Sequence, residues 1–242
     1  MLFRSRLSFK KPTKSLSSFG SSLSFFDSFL SSISISPLVI DGNFDDCQNL
    51  VKAMFNDEKF SKTINMSGVN SINWARIIAQ AVYYFYAYFK VGNSQPISFS
   101  VPTGNFGDIY AGYLAKKLGL PIDKLIVATN KNDILHRAIS GGDYTQKKVE
   151  ETNTPSMDIQ IASNFERLLY DVKDCNSEVT KNVMGEIKNN TYKIDKNDLY
   201  KIKKNFISEM LDEKETVEMI KTINDEHQMV VDPHTEIGRA HV

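Results

Sequence analysis

The stretch SFSVPTGNFGDIYAGYLAKK, residues 98–117, constrains the fold more than any other part of the chain. An alternating apolar run, expected as a strand over Ile97–Val101, breaks at a turn, Thr103–Asp108, and resumes at once as a helical pattern over Ile109–Leu118. Pro121 punctuates the chain, and KLIVATN, Lys124–Asn130, reads as a second strand. Strand, helix and strand in that order form a βαβ unit, which requires parallel strands and a right-handed crossover.

The turn also carries a chemical expectation. Gly104 and Gly107 let the backbone approach a neighbour closely, and the helix start behind them is a partial positive pole. Gly104, Asn105, Phe106, Gly107 and Asp108 are therefore a candidate cup of backbone donors for the single phosphate of a cofactor. The pattern is not G-x-G-x-x-G, and Asn130 stands where an acid would hold a ribose, so a dinucleotide site is disfavoured. Nor is it the glycine-lysine loop of nucleotide triphosphatases. An ordinary strand-to-helix connection explains the same letters.

Flanking segments extend the α/β pattern. PLVIDGNFDDCQNLVKAMFND reads as a short strand, Leu38–Ile40, then a helix capped by Asn43 with Phe44, Cys47, Leu50, Val51 and Met54 on one face. NSINWARIIAQAVYYFYAYFK reads as a long buried helix with Trp74, Ile77, Ile78, Ala81, Val82, Phe85 and Phe89 packed in the core. Just ahead of it, Asn70 and Ser71, with Arg76 one turn in, form either an ordinary cap or a second anion site. Peripheral helices are expected over Glu178–Lys188, Asn197–Met210 and Glu215–Asn224, the last with an Asp212–Glu215 capping pair, and MVVD reads as a final strand. The sum is a doubly wound, mostly parallel sheet with its ligand at the carboxyl ends of strands.

Composition narrows the function classes. A formal net charge of zero gives no global attraction to nucleic acid or anionic membrane. The apolar run Ile77–Phe89 is too short to span a bilayer. His136, His227, His234 and His241 do not cluster, Cys47 and Cys175 lack ligand spacing, and no metal site or hydrolase nucleophile elbow is expected. Thirteen of the first 36 residues are serine, and Arg4, Arg6, Lys10, Lys11 and Lys14 face only Asp27, which is the composition of a transit peptide, a flexible tail or an extraneous segment.

Four blocks in order, VNSINWARIIAQAVYYFYAYF, SVPTGNFGDIYAGYLAKKLGLPIDKLIVATNKNDIL, PSMDIQIASNFERLLY and VVDPHT, resemble threonine synthase of the long type found in fungi and many bacteria. The likeness runs from about Val39 to Thr235. It implies an incomplete tryptophan-synthase-β-like domain, the type II fold of pyridoxal-phosphate enzymes, over residues 38–235, with peripheral helices from about 172. It also implies a cytoplasmic lyase that converts O-phospho-L-homoserine and water to L-threonine and phosphate with pyridoxal 5'-phosphate.

By the same resemblance, Gly104, Asn105, Phe106, Gly107 and Asp108 hold the cofactor phosphate, Thr235 meets the pyridine nitrogen, and Asn70, Ser71 and Arg76 help hold the substrate phosphate. The family's cofactor-bearing lysine lies in a Phe-Lys-Asp segment that these 242 residues do not contain, so the chain is expected to be an inactive fragment of the enzyme. Residues 1–37 are expected to be extraneous or disordered, and 236–242, like the opening MLFRS, reads as translated adapter DNA. A related phospho-lyase and a non-catalytic scaffold of the same fold are the rival implications.

Overall fold

A computed structural model describes residues 41, 44–66, 73–91, 94–190 and 192–239. The expected strand at 38–40, the Asn43 cap, and Asn70 and Ser71 lie outside the described residues. The chain divides into units of residues 1–43 and 44–242, and everything below concerns the second.

Among the described residues the sheet has three parallel strands in the order β1-β2-β3: β1 Ile97–Pro102, β2 Ile122–Thr129 and β3 Phe206–Met210. Successive β2 side chains point to opposite faces, and the burial follows that alternation. Leu125 and Val127 enter the main core with Ile109, Ala111, Phe165 and Leu169, whereas Ala128 packs with Met157, Leu211 and Ile237 in a smaller cluster. Helices therefore cover both faces.

Among the described residues helix α1 (Phe44–Asn56) and helix α2 (Glu58–Thr63) come first, the latter capped by Asp57, whose carboxylate accepts from Phe60 N at 3.0 Å. Helix α3 (Trp74–Val91) packs on α4 (Gly107–Lys117), the crossover helix of the βαβ unit. Their close approach is built around Gly112, where a Cβ would sit 2.5 Å from the Tyr84 ring. Four more helices, α5 (Ile134–Gly141), α6 (Phe165–Val172), α7 (Ser177–Lys188) and α8 (Lys196–Lys203), fill the long connection from β2 to β3. After β3 come α9 (Glu213–His227) and α10 (Pro233–Arg239). The expected capping box at the start of α9 is present: Glu215 N donates to Asp212 Oδ1 at 2.8 Å and Asp212 N to Glu215 Oε2 at 2.9 Å.

Three expectations are corrected. The helix expected over Asn197–Met210 ends at Lys203, and its remainder is β3. Phe206 is fully buried while Ile207 is 43% exposed, a period-two pattern, and pairing from Leu125↔Phe206 to Thr129↔Met210 overrides local helix preference. MVVD is not a strand; Val230 is 80% exposed, and a strand needs a paired neighbour that this segment lacks among the described residues. Finally, the long helix is only half buried. Ile77, Ala81 and Tyr84 face the core, while Ile78, Val82, Tyr83, Tyr86 and Phe89 are exposed, so periodicity marked the helix but not how much of it is covered. Among the described residues, no helix is long and apolar enough to cross a membrane.

An uncovered aromatic and aliphatic stripe of this kind drives association. The chain is expected to self-associate in dilute buffer, and the pair Val82→Glu with Tyr86→Glu to shift sedimentation velocity toward the monomer. An unchanged distribution would show that the α3 stripe is not the contact.

Candidate functional site

The turn between β1 and α4 is a rigid object. Thr103 N donates to Ala128 O at 2.8 Å, which continues the β1–β2 ladder past Pro102 and fixes the turn's origin. Gly104 then passes so close to the segment before α6 that a Cβ there would lie 3.1 Å from Ser156 O and 3.3 Å from Met157 Cα. No side chain fits without moving backbone. Phe106 adopts φ +63°, a left-handed conformation that costs a non-glycine residue about 1 kcal/mol. Packing holds it there: the ring is 1% exposed, edge-on to Phe165 at 5.2 Å and tilted against Phe206 at 5.6 Å.

Phe106 therefore contributes only backbone to the cup. The amides that follow open helix α4, where first-turn N–H groups have no intrahelical acceptor and sit at the positive end of the dipole. Tyr84 of α3 braces this end, its hydroxyl donating to the Asp108 carbonyl at 3.0 Å. Burial raises the Asp108 carboxyl pKa above its ordinary value, with the Tyr84 hydrogen bond pulling the other way. Neutral amide donors, a helix start and a glycine that admits no side chain suit a small tetrahedral anion.

A second loop clamps the turn from outside. The Asn105 carbonyl accepts from Asn164 N at 3.1 Å and from Asn164 Nδ2 at 3.2 Å. Asn164 in turn accepts from Arg167 Nε at 2.9 Å, and the Arg167 guanidinium lies over the Trp74 ring at 5.2 Å. Trp74 opens α3, where Asn73 accepts from Ala75 N at 3.0 Å and does the capping expected of Asn70 or Ser71. This chain of contacts brings the start of α3, with Arg76 in its first turn, to the side of the fold that holds the glycine turn.

Sequence reasoning missed the polar cluster beyond β2. Asn130, Asn132, Thr154 and Asp158 are nearly inaccessible, at 1%, 4%, 0% and 9% exposure. Asp158 accepts from Asn130 Nδ2 at 2.8 Å, Asn132 Nδ2 at 3.0 Å, Thr152 Oγ1 at 2.7 Å and Thr152 N at 2.9 Å. The density of Asn, Thr and Asp in TNKND and ETNTPSMD is the available signal. Thr235, exposed on α10, lines a groove with Ser98, Ser100, Pro102, Met219, Gly238 and Arg239 that includes none of residues 104–108. Its helix is tied to the site at one remove: Ser100 Oγ donates to Gly238 O, and Ile237 packs on Met157, the neighbour of Gly104. Among the described residues no cluster of His, Cys, Asp or Glu has metal-binding geometry.

No family model matches the chain. A threonine synthase of Pseudomonas aeruginosa is 45% identical over 203 residues, which cover 83% of this chain and 43% of that protein. Solved structures agree. A pyridoxal-phosphate-bound threonine synthase from Brucella melitensis superposes with a TM-score of 0.76 at 48% identity, covering 82% of this chain and 43% of that one. The yeast threonine synthase gives 0.74 at 43% identity over 84% of this chain and 43% of its own. The chain thus spans less than half the length of the relatives it matches. With a parallel α/β sheet, a glycine turn at a strand end and this level of identity over four-fifths of its length, the chain belongs to the threonine synthase family.

Proposed function

We propose that the chain is the part of a threonine synthase that holds the phosphate of pyridoxal 5'-phosphate. The observation that carries this reading is the cup at the end of β1. Gly104 is pressed against Ser156 and Met157 with no room for a side chain, and the first-turn amides of α4 lie directly behind it. Gly104, Asn105, Phe106, Gly107 and Asp108 would hold the phosphate, four of them through backbone donors and Asp108 at the N-terminal pole of α4. Thr235 would meet the ring nitrogen, a neutral hydroxyl suiting a cofactor whose nitrogen stays unprotonated. Asn70, Ser71 and Arg76 would orient the substrate phosphate.

When bound, the cofactor supplies an electron-withdrawing ring that makes protons on carbons near the substrate amine removable. The residues of this chain orient, bind phosphate and exclude water; they do not include the proton carrier. That role belongs in the family to the lysine of a Phe-Lys-Asp segment, and these 242 residues contain none. The parent enzyme would be a cytoplasmic carbon–oxygen lyase acting on O-phospho-L-homoserine, and this polypeptide by itself would bind without turnover.

The test uses the 242-residue chain with pyridoxal phosphate and O-phospho-L-homoserine, and a complete threonine synthase as positive control. Phosphate release should stay at the no-protein rate. Release above that rate, abolished by removing the cofactor, would show that an amine within this chain serves as the carrier.

A further inference from the structure

The cup is walled by a neighbouring loop segment. Gly104 sits against the backbone of Ser156 and Met157, so any displacement of that segment displaces the turn. A short 3-10 turn, Pro155–Met157, shapes the segment locally, with Met157 N donating to Thr154 O at 2.8 Å and Ile159 N to Met157 O at 2.9 Å, bonds that set its own shape without tying it to β2. What anchors it is the Asp158 carboxylate, 9% exposed, which gathers four donors from three residues. Two of those donors, the amides of Asn130 and Asn132, stand just past the carboxyl end of β2. Thr152 supplies the other two from the far side of the loop. Asn130 also donates to Thr154 Oγ1 at 2.8 Å, and Asn132 closes the ring by pairing with the backbone of Glu150 at 2.8 and 2.9 Å.

The network therefore cross-links the end of β2 to the segment that walls the turn at the end of β1. We propose that Asp158 is a positioning residue for phosphate binding: it fixes the wall behind Gly104 and so holds the amides of residues 104–108 on the anion. This rests on the phosphate reading of the turn. A buried carboxylate with only neutral donors is costly unless every donor is kept, so the arrangement is brittle to a single change. Asparagine in its place keeps the shape but turns an NH2 group toward donors, breaking at least one bond and opposing another.

Pyridoxine 5'-phosphate and pyridoxine, which lack the aldehyde and so cannot form adducts with surface lysines, separate the phosphate contribution from the ring contribution in calorimetric titrations. The unsubstituted chain should prefer the phosphorylated ligand. Asp158→Asn should weaken that ligand about tenfold and leave pyridoxine within about twofold, because only the phosphate cup has moved. Thr152→Val, which nearly preserves shape but removes the hydroxyl that donates to Asp158 and accepts from Asn130 Nδ2 and Thr154 N, should reduce the preference by about threefold and decides the matter if Asp158→Asn does not fold. Two results overturn the proposal in distinguishable ways. If the unsubstituted chain shows no preference for phosphate, the phosphate reading falls and this falls with it. If it shows the preference and the variants keep it, or lose both ligands in parallel, the cup stands and Asp158 is merely structural.

Discussion

Gly104→Val is expected to abolish the preference for pyridoxine phosphate over pyridoxine and to lower the unfolding free energy by about 1–3 kcal/mol. Even the first carbon of the new side chain would sit 3.1 Å from Ser156 O and 3.3 Å from Met157 Cα, and both neighbours are backbone. They cannot rotate aside as a side chain would. The Asp158 network holds the loop in place, so the turn is the part that gives way. Titration calorimetry reads the binding and thermal unfolding the stability. A valine variant that binds the phosphorylated ligand as tightly as the original would place the anion elsewhere.

The second large effect has the opposite sign. Glu236 is fully buried, and among the described residues neither of its carboxylate oxygens has a hydrogen-bond partner. Burial raises its pKa above the ordinary 4.5, with Arg239 pulling weakly the other way. An orphaned buried polar group costs about 1–3 kcal/mol, and more when charged. Glu236→Met, similar in volume and apolar, should therefore stabilise the chain by about 1–3 kcal/mol at pH 7.5, or about 2–12 °C in Tm for a chain of this size.

The pH dependence follows from the raised pKa. Between the unfolded value near 4.5 and the higher folded value, the native state holds the proton more tightly, so stability is present below 4.5 and is lost as pH rises through the folded pKa. The advantage of the methionine variant should accordingly shrink toward pH 4. A destabilised methionine variant, or an advantage independent of pH, would mean that Glu236 has a partner in solution.

How much of this was legible in the residues depends on how local the determinant is. The βαβ unit was, because Pro121, the glycines and two alternating runs encode it within thirty-odd positions, and the observed β1, α4 and β2 differ from expectation by at most two residues at each end. The α9 capping box was legible for the same reason. Strand β3 was not: NFISEM follows a helix directly, and only its pairing with β2 makes it a strand. The exposure of Ile78, Val82 and Phe89 was hidden too, since amphipathic spacing shows that a helix has an apolar stripe and is silent on whether anything covers it.

The site divides along the same line. The glycine turn announced itself through residue types that only a special backbone needs. Phe106 was expected as part of the cup, and the structure sends its ring into the core, where it anchors the turn by packing. The Asp158 network was illegible because its members are separated by up to 28 positions and are individually unremarkable polar residues. Their role exists only once β2 and the Thr152–Asp158 loop are side by side.

Amide NMR of the 15N-labelled chain during titration with pyridoxine 5'-phosphate tests the phosphate cup most directly. Expected are saturable shifts centred on the amides of residues 104–109, with inorganic phosphate competing and pyridoxine leaving those signals in place. Saturable shifts confined to some other part of the chain, with Gly104 through Ile109 unmoved, would contradict it.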